Sequence, residues 1–373
     1  MKRVGFLYER LVSIENCKAA IMSASKRKRR RKVVQTVLAN IDYYAEDLSA
    51  RLISHDFVTP YKQKRITDGL SGKERDILVP AWYPDQCAHH AIVRLIQPII
   101  EKSSYHWSCA NIPKRGIDHA SKCIERGTKR DIKNAKYCAK GDVRKYYPSI
   151  DHDILKAMLE RKIKDKKFLE VVNVVIDSCD EGLPIGNYTS PWFAELFLQD
   201  LDRLILNHKA TKHYARYADD ITILGSNKRE LHNLIHHIDI FLDEHKLKLK
   251  DNWQVFRVQY KGEWDYKKER FRYCGRRIDF IGKCYGIGFT TIRKRRSLAF
   301  IRQSRRIRKL QERNLPIPFK MAAGFISRSS CLKRTNSQSL RIKYYDTINI
   351  GQLKEFIRNY GLEQSRRLAS RAA

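Results

Sequence analysis

The sequence predicts an α+β fold in which helices pack against a sheet that contains an antiparallel hairpin. Three observations carry this reading. Short β-type runs alternate with helix-period segments through the middle of the chain. The acidic pair Asp219-Asp220 is enclosed by two strand-like runs, as in a hairpin. The basic C-terminal third reads as helices broken by Pro316 and Pro318.

The elements follow in order. Residues up to about 60 read as helical, with a second segment marked by Val33, Val34, Val37, Leu38, Ile41, Tyr44, Ala45 and Leu48. Seven consecutive basic residues, Lys26 to Lys32, lie between the first segments and suit a loop or a solvated helix end. Lys64 to Thr67 and Arg75 to Val79 flank the turn-rich Asp68-Gly69-Leu70-Ser71-Gly72, and Pro80 stops the second strand. Ala88, Ile92, Leu95, Ile96 and Ile99 mark one helix over residues 85–100. Tyr137 to Val143 is a short strand, followed by a bend at Pro148 and helices over 151–161 and 168–176. Gly182 to Asn187 is a loop, and Ser190-Pro191 opens a helix to Ile205, with Ser as cap and Pro in the first turn. His213 to Gly225 is the hairpin around Asp219-Asp220, and Leu231 to His245 is an amphipathic helix. Further strands fall near 254–259, 273–275 and 279–282.

Composition narrows the class. At 373 residues and 42% hydrophobic content, the chain can bury two or three subdomains. Lys and Arg number 75 against 41 acidic residues, a net charge of +34. Such a chain repels itself until a polyanion neutralises it, and nucleic acid is the natural candidate. From Arg293 onward there are 21 basic and four acidic residues, so half of the excess lies in the last 81. No apolar run approaches about 18 residues, which argues against a spanning helix. Met1 to Glu9 lacks the apolar core of a secretory signal. Nine scattered cysteines without a C-x-x-C pair suit reduced thiols in a cytoplasm rather than zinc or a disulfide framework.

Asp142, Asp219 and Asp220 are the candidate catalytic residues. If the strand ending at Asp142 pairs with the hairpin, three carboxylates meet at one sheet edge. Like charges there are costly, and divalent cations remove the cost. All-oxygen ligation selects Mg2+, with Mn2+ also suitable. Two such ions, about 4 Å apart, clamp the attacking and leaving oxygens of an in-line phosphoryl displacement. Taken alone, an Asp-Asp pair in a turn more often marks a solvated turn.

The motifs resemble those of reverse transcriptases. Tyr217-Ala218-Asp219-Asp220 looks like the family's Y-x-D-D, and Asp142 to Asp151 looks like its first palm motif. Gly182 to Asn187, with Thr189-Ser190-Pro191, resembles the substrate loop. Phe280-Ile281-Gly282 resembles the primer grip, and Gly72 to Ile77 the fingers motif. The five occur in family order over about residues 60 to 290. The resemblance implies a right-hand polymerase with fingers, palm and helical thumb. It divides the chain into an N-terminal helical extension (1–60), fingers (61–136), palm (137–290, with a helical insertion near 152–181) and basic thumb (291–373). It implies an RNA-directed DNA polymerase using an RNA template, a DNA or RNA primer and dNTPs.

Roles follow from the same resemblance. Asp142 and Asp219 would ligate the two ions, Asp220 would complete the site, and the Val143 carbonyl would add an oxygen. Tyr147 matches the steric gate beneath the incoming sugar. Lys73 and Arg75 would hold the triphosphate, and Ile185 and Gly186 would line the nucleotide. Lys248 or Lys250 would protonate pyrophosphate. Arg293, Lys294, Arg295, Arg296, Arg302, Arg305 and Arg306 would track a nucleic-acid backbone, where phosphate contacts give affinity without sequence choice.

Within the family the chain looks like the compact prokaryotic kind, cytoplasmic and prokaryotic or phage-encoded. Leu183-Pro184-Ile185-Gly186-Asn187 and Asp251 to Phe256 resemble the enzymes of diversity-generating retroelements, which copy with errors opposite adenine. Those enzymes generally work with a small basic accessory protein and a dedicated structured RNA. Ser190-Pro191 departs from their usual Ser-Gln and is found in phage-defence and group II intron types. Two other readings stay open: a defence polymerase acting on a noncoding RNA or without template, and an RNA-binding maturase-like protein.

Overall fold

The computed structural model describes residues 2–67 and 74–370. Compactness divides the chain into two units, Met1–Cys123 with Tyr137–Val255, and Ile124–Lys136 with Phe256–Ala373. This division differs from the motif-based one, because residues 256–290 belong with the C-terminal helices.

The first unit begins with helices Tyr8–Val12, Ile14–Ser25, Lys32–Ala39 and Ile41–Ser54. Ser13 caps the second by accepting from the Asn16 N–H at 3.2 Å. Its Cys17, Ala20, Ile21 and Ala24 recur at helical spacing and are buried. The basic run Lys26–Lys32 forms the turn between the second and third helices, and all but the half-buried Lys28 are exposed. The next strands, β1 (Lys62–Thr67) and β2 (Glu74–Val79), pair antiparallel, with Ile66 opposite Arg75. Lys73 and the turn around it lie outside the described residues, as does the Arg75 side chain.

Helix Cys87–Ser103 is the most buried helix of this unit's N-terminal half, with Ala88, Ala91, Ile92, Leu95, Ile96 and Ile99 all inside. Helices His152–Glu160 and Lys166–Ile176 are each capped by an aspartate. Asp151 accepts from Ile154 N–H at 3.0 Å and Asp165 from Phe168 N–H at 3.2 Å. The second Asp165 oxygen accepts from Leu7 and Tyr8 N–H at 2.7 and 2.9 Å, which ties the N-terminus to this helix. Burial alone would raise the Asp165 carboxyl, but these backbone donors hold it below its ordinary range.

A five-stranded sheet sits among these helices. Its strands are β3 (Ser108–Cys109), β4 (Tyr137–Asp142), β5 (His213–Tyr217), β6 (Asp220–Gly225) and β7 (Gln254–Arg257). The spatial order is β3-β5-β6-β4-β7, with β6 antiparallel to both neighbours and β3 parallel to β5. The unit boundary falls within β7. Helix Lys228–Glu244, capped by Asn227, buries Leu231, Leu234, Ile235, Ile238 and Leu242.

Two expectations need correction. The single helix expected from Ser190 to Ile205 is two, Ser190–Phe197 and Gln199–Asn207, broken at Leu198. Ser190 also does not cap it. Its hydroxyl donates to the Pro184 carbonyl at 2.7 Å and so anchors the preceding loop.

The second unit holds β8 (Tyr260–Asp265) and β9 (Arg270–Cys274), which form a two-stranded sheet, and a three-stranded meander of β10 (Ile278–Phe280), β11 (Lys283–Gly286) and β12 (Phe289–Ile292). Ile281 and Gly282, expected as the end of a strand, form the β10–β11 turn, with φ of +45° and +79°. Helices Lys294–Glu312, Phe319–Ser329, Gln338–Tyr344 and Ile350–Ser370 follow. Phe300, Ile307, Phe325 and Leu353 form their core, with Phe300 and Phe325 stacked at 5.0 Å.

Candidate active site

The β5–β6 hairpin closes through two residues, Ala218 and Asp219, with Tyr217 opposite Asp220. β4 pairs along the other side of β6 and sets Asp142 directly opposite Asp220. The strand signal at Asp142 and the hairpin signal at Asp219-Asp220 therefore converge at one end of the sheet. The Val143 N–H donates to the Asp219 carbonyl at 3.2 Å, which ties the turn to the end of β4. Val143 itself is buried and bridges to Leu249.

Cations line this edge. Lys250 Nζ lies 3.2 Å from Asp142 Oδ2, and the Lys250 N–H donates to the Asp142 carbonyl at 2.9 Å. Lys140 Nζ lies 3.6 Å from Asp220 Oδ2. Lys248, the other lysine read as a possible acid, is exposed, and its carbonyl accepts from Arg144 N–H. Among the described residues no three carboxylates stand together as a metal-holding group as the side chains are turned. The Asp220 carboxyl is nevertheless suited to a cation. Its Oδ1 is buried without a hydrogen-bond partner. Burial pushes Asp220 up to about 7, with Asp142 and Asp219 adding to the rise and Lys140 opposing it.

Sequence reading missed what lies beneath the turn. Arg216 is fully buried, 0% exposed, in a strand otherwise lined by Tyr214 and Ala215. Its guanidinium donates to Asp202 through Nε and Nη2, at 2.7 and 2.6 Å, and to Glu195 at 3.1 Å. Its Nη1 donates to the Ala218 carbonyl at 3.1 Å, inside the turn. Tyr214 hydroxyl completes Asp202 at 2.6 Å, and Ser108 hydroxyl donates to Glu195 at 2.6 Å. Burial by itself opposes the Arg216 charge, but Asp202 and then Glu195 outweigh it and hold the group charged. Burial raises the Glu195 carboxyl, with Arg216 opposing. One signal was available: an arginine at a core-facing strand position, with Glu195 and Asp202 on otherwise apolar helix faces. Ala218 takes φ +55°, a left-handed conformation that a non-glycine residue rarely adopts, and the Arg216 contact holds its carbonyl.

The substrate-loop residues pack beside this edge. Leu183 N–H donates to the Tyr147 carbonyl at 2.8 Å. Gly182 has φ +65°, and a Cβ there would stand 2.5 Å from Pro148 backbone. A Cβ on Gly186 would stand 2.0 Å from the Leu78 carbonyl of β2, and Gln86 donates to the Gly186 carbonyl at 2.8 Å. Ile185 is half-buried and Gly186 exposed. Tyr147 is half-buried in the T-shaped pair with Tyr146, and burial pushes its hydroxyl up to about 12.

The cations of the C-terminal unit divide. Lys294, Arg295, Arg302, Arg305 and Arg306 are exposed along helix Lys294–Glu312, whose other face buries Phe300, Ser304 and Ile307. Arg305 lies over the Tyr344 ring at 5.7 Å. Arg293 pairs with Asp279 at 2.5 Å, and Arg296 packs over Gly282.

Carboxylates brought to one end of the antiparallel strands β4, β6 and β5 suit cation-assisted phosphoryl chemistry. A model of the reverse transcriptase (RNA-dependent DNA polymerase) family matches residues 82–278, and the chain belongs to that family. Over 221 residues it is 27% identical to the group II intron-encoded protein LtrA of Lactococcus lactis subsp. cremoris, which covers 57% of this chain and 34% of LtrA. It is 30% identical over 139 residues to the retron Ec73 reverse transcriptase of Escherichia coli, covering 34% of this chain and 42% of that one. The chain thus spans about a third of the first of these relatives and two fifths of the second. Apo telomerase from Candida Tropicalis aligns with a TM-score of 0.47 at 12% identity, over 86% of this chain and 63% of that chain. Among the described residues no helix is long and apolar enough to cross a membrane.

Arg216→Met should cost about 3–5 kcal/mol in urea denaturation, because it strands Asp202 as a buried charge. Adding Asp202→Leu should restore only part of that, since it removes one stranded carboxylate but leaves buried Glu195 without its guanidinium. A single-variant loss below about 1 kcal/mol would show that the cluster is not buried as described.

Proposed function

We propose that this chain is an RNA-directed DNA polymerase that extends a DNA or RNA primer along an RNA template. The observation that carries the reading is the register of Asp142 opposite Asp220, with Asp219 in the adjoining turn, inside a reverse transcriptase domain. Asp142, Asp219 and Asp220, with the Val143 carbonyl, would hold two Mg2+ ions. When bound, the ions supply the positive charge that activates a 3′-hydroxyl and stabilises the departing pyrophosphate. Tyr147 is the gate against a 2′-hydroxyl. Lys73 and Arg75 hold the triphosphate, and Lys248 or Lys250, the latter 3.2 Å from Asp142, protonates the pyrophosphate. Arg293 to Arg296 with Arg302, Arg305 and Arg306 follow the duplex backbone. This motif-based assignment makes residues 61–136 the fingers, 137–290 the palm and 291–373 the thumb, and places the enzyme in a prokaryotic or phage-infected cytoplasm.

The finer reading is an error-prone enzyme of a diversity-generating retroelement, with a small basic accessory protein and a structured RNA as partners. Ile185 supports it. An apolar side chain cannot hydrogen-bond the nucleotide, which leaves selection to base pairing. Ser190-Pro191, in place of the usual Ser-Gln, supports a second reading, a phage-defence polymerase that copies a noncoding RNA or needs no template.

Primer extension with Mg2+ on poly(rA)/oligo(dT) and on a mixed RNA template tests the activity. Wild type should make DNA, and Asp219→Ala/Asp220→Ala should lose it roughly thousandfold or more, the scale of removing a transition-state charge stabiliser. Synthesis that survives in the double variant would refute the assignment, and template-free synthesis would favour the second reading. Sequencing the mixed-template products should show frequent errors that fall in Ile185→Gln; identical error spectra would remove the role given to Ile185. Tyr147→Ala should incorporate ribonucleotides at least tenfold more readily, on the basis that about 1.4 kcal/mol of lost exclusion is tenfold. Unchanged sugar discrimination would rule the gate out.

A further inference from the structure

The β8–β9 hairpin is not used by the polymerase reading above. Among the described residues its two strands pair with each other and with no further strand, which makes it a two-stranded sheet within its unit. Such a hairpin is marginal in water unless something covers a face. Its base is secured: Gln259 N–H donates to the Arg276 carbonyl at 2.8 Å and Arg276 N–H to the Arg257 carbonyl at 2.9 Å. Gly275, at φ +78°, allows the approach to Val258 there.

The register shows what the blade presents. Lys261 faces Tyr273 and Trp264 faces Phe271. Phe271 and Tyr273 are two residues apart, so all four side chains share one face. That face is open. Trp264 is 40% exposed, Phe271 36% and Tyr273 54%, and Tyr266 in the connecting turn is 85% exposed. Trp264 and Phe271 meet edge to face at 4.8 Å, and Lys261 Nζ sits 3.4 Å above the Phe271 ring. Residues 257–277 carry eight basic and three acidic side chains, and Asp265 is occupied in capping the turn through Lys267 and Lys268 N–H. Large exposed aromatics in such an array mark an interaction surface.

The partner must offer flat apolar rings and negative charge together. Unpaired nucleic acid does so, because its bases stack on aromatic side chains while its phosphates meet the cations between them. A duplex does not, since its bases are already stacked inward. We propose that the Trp264–Phe271–Tyr273 face of this hairpin is a stacking platform for unpaired RNA. The choice of RNA rests on the polymerase reading: the strand such an enzyme carries unpaired is its template, whereas its DNA product leaves the site paired.

Fluorescence anisotropy with a fluorescein-labelled unpaired 20-nucleotide RNA, without primer, dNTPs or metal, tests the platform apart from catalysis. The full chain carrying Trp264→Ala/Phe271→Ala/Tyr273→Ala should bind that RNA at least tenfold more weakly, and a 20-base-pair RNA duplex within twofold of wild type. Trp264→Phe/Tyr273→Phe should keep wild-type affinity, and urea midpoints of all three chains should coincide because the side chains face solvent. Unchanged affinity for unpaired RNA would overturn the proposal. So would equal losses for paired and unpaired RNA, or a loss seen only with unpaired DNA or with anionic phospholipid vesicles. Because no nucleotide is added, a chain that binds as expected but synthesises no DNA would leave the platform standing and refute only the polymerase reading. A chain that synthesises DNA with unaltered RNA binding would do the reverse.

Discussion

One buried guanidinium organises the candidate active site. Arg216 binds Asp202, Glu195 and the Ala218 carbonyl at once. It therefore joins helix Gln199–Asn207, helix Ser190–Phe197 and the acidic turn. A buried ion pair adds little net stability over an apolar pair of the same volume. What it adds here is geometric definition, because a planar fork with fixed donor directions admits few arrangements of its acceptors. Apolar side chains at the same positions could fill the space, but could not hold a turn carbonyl whose residue sits in a left-handed conformation.

The break at Leu198 belongs to the same arrangement. Two short helices place Glu195 and Asp202 on either side of the guanidinium, and the Tyr214 and Ser108 hydroxyls donate to the same Asp202 Oδ1 and Glu195 Oε1 that Arg216 reaches. Glu195 Oε2 has no partner, consistent with burial raising that carboxyl. Above this cluster the turn presents Asp219 and Asp220 toward the half-exposed edge where Asp142 lies. The polar interior thus supports a polar exterior through one strand, β5.

Much of this was legible in the sequence. The alternation around Tyr214 to Leu224 gave the hairpin, and Tyr137 to Val143 gave its neighbour, because period-2 patterns survive tertiary packing when one face is buried. Helices with regular apolar spacing, such as Leu231 to His245, were equally clear. Three features were hidden. Ser108–Cys109 is too short to show a period and exists only because β5 pairs with it. The Leu198 break is invisible because Trp192 to Leu201 is apolar on almost every side. Arg216 stands just ahead of the Tyr217–Asp220 motif, and a single basic residue in an alternating strand does not show from sequence that it lacks solvent. The β8–β9 hairpin was only glimpsed as a strand near Tyr273, since exposure on its faces removes the hydrophobic alternation that reveals strands.

The contact between Gly186 and β2 bears on how this chain can change. The Leu78 carbonyl lies where any Cβ at 186 would be, so that position has no latitude. Its neighbour Ile185 already carries a side chain there and is half-buried. Adjacent residues of one loop are thus under different constraints. A substitution at 186 must displace the backbone of β2, whereas one at 185 exchanges one side chain for another. A lineage could therefore replace the side chain at 185 by a single codon change without first shifting the strand that lies against 186.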